Sequence, residues 1–78
     1  MDYKELTEYL VKSLVDNPQQ VEINEIEGKK STILELKVTK EDIGKIIGKH
    51  GRIARSIRTL ISASANKTGK RVVLEILD

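Results

Sequence analysis

Seventy-eight residues, 38% hydrophobic and 33% charged, make one small domain, expected over 1–78, that buries little more than about 60% of its unfolded surface. There is no cysteine and one histidine, which excludes a disulfide framework and a thiolate or multi-histidine metal site, and no cofactor is expected. The formal net charge is +2, no basic segment followed by a long apolar stretch opens the chain, and the expectation is a cytoplasmic protein without a membrane segment.

Taken in order, residues 2–16 are expected to form a helix. Asp2 can cap it, and Tyr3, Leu6, Leu10 and Leu14 line one face with Val11 and Val15 beside them. Asp16-Asn17-Pro18 ends it. Tyr3 is expected in the core, whereas Tyr9 suits a partly covered surface position or a base-stacking platform. Val21 and Ile23 alternate with polar residues and predict a strand to about Ile26. Glu27-Gly28-Lys29-Lys30 is a turn, and its lysine pair suits either a soluble hairpin tip or a nucleic-acid backbone contact. Thr32 to Val38 predicts a second strand with Leu34, Leu36 and Val38 inward and Glu35 and Lys37 outward, leaving Ile33 ambiguous.

Thr39 and Asp42 have capping-box spacing ahead of a short helix, 40–47. A long helix is expected from about Arg52 to Asn66, stopped by Lys67-Thr68-Gly69. Val72 to Leu77 is dense in β-branched residues and predicts a well-buried last strand. The order α-β-β-α-α-β implies an α+β sandwich with helices covering one face of a three-stranded sheet.

The stretch Ile46-Ile47-Gly48-Lys49-His50-Gly51-Arg52-Ile53 sits between the last two helices. Two glycines bracket two basic-capable residues, and glycine tolerates positive φ and close approach by another backbone. The long helix starts just after Gly51, so its first N–H groups favour an anion in the turn, where Lys49 and Arg52 add charge. Residues 1–39 hold five Lys or Arg against eight Asp or Glu, and residues 40–78 hold nine against four. The basic half is the half with this turn. A P-loop is excluded: three residues separate Gly44 and Gly48 where four are needed, and His50 stands at the hydroxyl position. Gly44-x-x-x-Gly48 lacks the surrounding apolar span of a membrane dimer motif. No nucleophile with a base, no paired carboxylates and no metal set are present, so catalytic residues are not expected.

Ile47-Gly48-Lys49-His50-Gly51, with its apolar lead and the following Ile-Ala-Arg-Ser-Ile-Arg, resembles the Gly-x-x-Gly signature of KH domains, which grip about four nucleotides of a single strand. The whole chain resembles a type II KH domain, and within that fold it is similar to the short bacterial KhpA-like RNA-binding family. The resemblance implies single-stranded RNA as partner, with single-stranded DNA also accommodated by a backbone clamp. It implies contacts from Ile46, Ile47, Gly48, Lys49, His50, Gly51 and Arg52, with Lys45 and Arg55 as secondary basic residues. It places an apolar groove floor at Ile46 or Ile47 and the inward part of the second strand. Ala54 stands where many KH domains have a larger aliphatic residue, which implies a shallower groove. It further implies an RNA chaperone or post-transcriptional regulator, a second KH protein of the KhpB or Jag type as partner, and effects on cell wall biogenesis and cell shape.

Arg52, Arg55 and Arg58 project from the polar side of the long helix. Arg52, at its start, suits phosphate contact, and Arg55 and Arg58 suit ordinary helix solubility. The apolar arc of that helix is wider than one sheet requires, so Leu60 and Ala63 are candidates for a dimer contact or for cover by neighbouring elements. A protein-interaction adaptor that no longer uses its RNA groove is the competing reading, based on that arc and the acidic first half.

Overall fold

The structure, a computed structural model, describes residues 2–77. It contains α1 (Tyr3–Leu14), β1 (Glu22–Glu27), β2 (Ser31–Lys37), α2 (Ile43–Ile47), α3 (Arg52–Asn66) and β3 (Arg71–Ile76). This is the expected α-β-β-α-α-β order. Asp2 caps α1 through a full capping box: its carboxylate accepts from the Glu5 N–H at 2.8 Å, and Glu5 returns to the Asp2 N–H. The covered line of α1 runs through Tyr3, Thr7 and Val11 and continues to Val15. Thr7, which no apolar pattern marks, is fully buried, and its hydroxyl donates to the Tyr3 carbonyl at 2.7 Å. A polar group satisfied in this way carries little burial penalty. Leu14 is 39% exposed rather than packed, because a strict four-residue seam rotates it off the core.

The sheet has the order β1-β2-β3. The hairpin sets β1 antiparallel to β2, with Ile23 opposite Leu36 and Ile26 opposite Ile33. The helical crossover returns β3 parallel to β2, with Thr32 beside Val72 and Leu34 beside Leu74. The central strand is therefore β2, and Leu34 and Leu36 are fully buried beneath the helices. Ile46 of α2 and Ile57, Ile61 and Ala65 of α3 close the core against them. Burying each large aliphatic chain contributes about 1.5–3 kcal/mol.

The last strand differs from expectation. β3 is an edge strand that alternates: Val72 and Leu74 are buried, and Val73 is 43% exposed on the uncovered face. Ile33 also lies on that outer face, between Ile26 and Val73. The helices cover one side only.

The Thr39–Asp42 spacing does not act as a cap either. No side-chain cap bond forms at Lys40–Asp42, the 3-10 turn that leads into α2. Asp42 is instead fully buried against the end of α1. Its carboxylate accepts from the Asp16 N–H at 3.2 Å, the Asn17 N–H at 3.0 Å and the Asn17 amide at 3.1 Å. Burial would raise its pKa. The hydrogen bonds from the Asn17 side chain, the Asp16 and Asn17 backbone and Thr39 outweigh burial and lower it to about 2. This junction ties the first helix to the start of the second.

Candidate nucleic-acid interface

The turn between α2 and α3 is shaped by positive φ at three of its four positions. Gly48 has φ 73° and ψ 178°, Gly51 has φ 72°, and His50 has φ 57°. The Gly48 combination is open essentially to glycine alone. A Cβ at Gly48 would also lie 2.6 Å from Cγ1 of Ile53, so Ile53 packs in the space that glycine leaves. Gly51 is different. Nothing stands within 4 Å of a Cβ added there, so only its left-handed φ calls for glycine. The Gly48 N–H donates to the Gly44 carbonyl at 2.9 Å and the Gly51 N–H to the Gly48 carbonyl at 3.2 Å, which closes the turn. Lys49 and His50 project from it, both exposed. α3 begins at once with exposed Arg52 and without a side-chain cap. The positive end of a 15-residue helix thus adjoins two cation-bearing positions.

The residues anticipated around the turn separate into distinct environments. Ile46 is fully buried and belongs to the core, whereas Ile47 is 39% exposed beside the turn. In a five-residue helix only one of two adjacent isoleucines can face inward. Lys45 is held by Asp16 at 2.9 Å and Asp42 at 3.5 Å. Its pKa is raised, chiefly by the bond to Asp16 and then by that carboxylate's charge. Its charge is therefore spent inside the α1–α2 junction. Arg55 is exposed on α3. Leu60 is 49% exposed and Ala63 is exposed, so among the described residues no neighbouring element covers that flank.

The groove floor differs from expectation. The resemblance implies the inward part of the second strand as that floor, but β2 is central and its inward residues are sealed beneath the helices. β3 presents the free edge next to α3. Between them runs an open groove of about 490 Å³ lined by Arg58, Ile61 and Ser62 on one side and Val72 to Leu74 on the other. Arg58, expected only to solubilise the helix, reaches across this groove, and its Nε donates to the Leu74 carbonyl at 3.4 Å. The rest of its guanidinium remains a set of donors. The hairpin and crossover connections carried the signal for this arrangement, since both make β2 a neighbour and leave β3 outermost. Nothing in the local sequence marks the Arg58 contact.

Among the described residues there is no His, Cys, Asp and Glu grouping able to hold a metal, and no helix is long and apolar enough to cross a membrane. Exposed backbone at a glycine turn, adjacent cations and an open groove with a strand edge can hold a chain of phosphates and the bases attached to it.

Residues 4–76 match the family described as "KhpA/KhpB, KH domain". The chain is 65% identical over 74 residues to the RNA-binding protein KhpA of Borreliella burgdorferi, covering 95% of this chain and 90% of that protein. It is 58% identical to the RNA-binding protein KhpA of Clostridium perfringens over 95% of this chain and 99% of that one. The corresponding protein of Aquifex aeolicus is 52% identical over 96% and 95%. Among solved structures, a crystal structure of Aquifex aeolicus Era superposes with a TM-score of 0.65 at 17% identity, over 95% of this chain and 29% of that one. That likeness concerns the fold.

Proposed function

Because this chain belongs to the KhpA/KhpB KH-domain family, we propose that it binds single-stranded RNA through the Gly48–Gly51 turn. The observation that carries this is the turn itself: Gly48 and Gly51 at positive φ, with Lys49 and His50 exposed at the amino end of α3. Gly48, Lys49, His50, Gly51 and Arg52 hold the sugar-phosphate backbone. Ile47 supplies apolar contact in place of the buried Ile46, and Arg55 adds charge along α3. Bases lie in the α3–β3 groove, where the Arg58 guanidinium and the β3 edge offer hydrogen bonds. A backbone clamp of this kind also accepts single-stranded DNA. The role is binding, as of an RNA chaperone or post-transcriptional regulator in the cytoplasm with effects on cell shape and cell wall, and not catalysis.

The test is a fluorescence-anisotropy titration of labelled single-stranded RNA with the Lys49→Asp, His50→Asp double variant. Affinity is expected to fall at least about tenfold, since two phosphate contacts are replaced by repulsion, while the circular dichroism spectrum stays unchanged. Equal affinity of the variant and the parent protein counts against the clamp.

The exposure of Leu60 supports a second element of the reading. Leu60 and Ala63 form the contact of a homodimer, or of a heteromer with a KhpB-type KH protein, and two grooves on one assembly raise avidity. An adaptor whose RNA groove is vestigial is the rival. It predicts that Leu60→Asp removes partner binding and function while the double loop variant keeps both.

A further inference from the structure

The parallel register of β2 and β3 sets Ser31 beside Arg71. The β1–β2 turn and the loop entering β3 therefore meet at one end of the sheet. Gly28 to Thr32 line a depression of about 290 Å³ together with Gly69 and Lys70. Segments 27–31 and 67–71 carry Lys29, Lys30, Lys67, Lys70 and Arg71 against the single carboxylate of Glu27. All five cations are exposed. Among the described residues only Lys70 is ion-paired, with Glu27 at 3.8 Å, and an exposed pair at that distance is weak. The depression is lined by glycine, lysine, serine and threonine, with no aliphatic or aromatic residue to favour a base or a peptide side chain.

Position gives the patch its meaning. Gly69 and Lys70 also line the α3–β3 groove, so the two depressions adjoin at the loop into β3. The 15 residues of α3 place this end about 22 Å from the glycine turn. A Gly-x-x-Gly clamp engages about four nucleotides, and a strand that follows the groove past them arrives at these cations. We propose that Lys29, Lys30, Lys70 and Arg71 form a second phosphate-binding platform that holds the same RNA strand as it leaves the α3–β3 groove. The platform rests on the RNA-binding reading above and extends it from a short clamp to a longer footprint.

The test compares RNAs of about 5 nucleotides, which only the clamp can fill, with RNAs of about 12 nucleotides, within the span of a longer single-strand site. Both are titrated against the parent protein, the K29E/K30E variant and the K49D/H50D variant. The lysine turn is exposed and outside the core, so K29E/K30E is expected to keep the parent melting temperature. The parent binds the longer RNA more tightly. K29E/K30E binds the short RNA as the parent does but loses about tenfold on the longer one, and its salt slope falls by about 1.4, or roughly 0.7 per lost contact. K49D/H50D loses both. If K29E/K30E matches the parent on the longer RNA while K49D/H50D fails, the platform is overturned and the clamp stands. Equal loss on both lengths overturns it too, because the lysines then act through general charge. If the parent binds neither RNA, clamp and platform fall together.

Discussion

At the scale of single residues, the two glycines of the turn do different work. Gly48 combines a backbone conformation closed to other residues with a neighbour, Ile53, that fills the missing side-chain space. Gly51 has only the left-handed φ, with open space beyond it. Gly51→Ala should therefore cost about 1–2 kcal/mol, the price of αL for an L-residue. Gly48→Ala should cost about 2–6 kcal/mol, since strain and overpacking each contribute about 1–3. Urea titrations of the two variants check the ranking, and equal midpoints would show that the Ile53 contact is relaxed at no cost. His50 holds a positive φ without being glycine, inside the turn that the Gly51 N–H closes on the Gly48 carbonyl.

At the scale of elements, the junction of α1 with α2 adds an electrostatic tie to the apolar packing of Val15 and Ile46. Asp42 is buried, accepts three N–H donors from Asp16 and Asn17, and draws in Lys45. Its folded pKa of about 2 lies below the ordinary 3.8. It therefore contributes stability that is present above about pH 3.8 and is lost as pH falls toward 2. Asp42→Asn is expected to lower the melting temperature at pH 7 and to flatten the acid limb of the stability profile between those values. Thermal melts across pH 2 to 7 read this out, and an unchanged acid limb would mean that other carboxylates govern it. The opposite end of α1 is held by its capping box. Asp2→Ala should cost about 1 kcal/mol, visible as a small fall in the denaturation midpoint. Because α2 leads directly into the glycine turn, an Asp42 variant is also expected to bind RNA more weakly than its stability loss alone explains.

At the scale of the whole molecule, an acidic first half of the sequence is joined to a basic second half, which carries the turn, α3 and the loop into β3. Binding that rests on phosphate contacts must weaken with salt, by a slope of about 0.7 per contact on a single strand. Titrations over a range of potassium chloride concentrations should give a steep line for the parent, and Lys49→Ala should reduce the slope by roughly one contact. A flat line in the parent would remove the electrostatic basis of the site. Leu60, 49% exposed on α3, makes a separate prediction. Leu60→Asp should leave monomer stability nearly unchanged, as surface changes do to within about 0.5 kcal/mol. It should also shift sedimentation toward the monomer. A parent protein that already sediments as a monomer at every concentration would refute the homodimer.

Local spacing was enough to read the chain's elements and its central motif. Period-3.6 spacing placed the helices, period-2 alternation the first two strands and β-branched density the third, and two glycines around Lys49 and His50 marked the turn. These signals are legible because they depend on residues within a turn or two of one another. The tertiary structure decided which of Ile46 and Ile47 faces outward, that Lys45 and Asp42 serve the α1–α2 junction, and that β3 rather than β2 borders the groove. It also brought Arg58 to Leu74 and Lys29 and Lys30 near Lys70. Each of these is a contact between residues distant in sequence or a choice between two equally apolar faces, and only the packing of α2, α3 and the sheet around one core determines it.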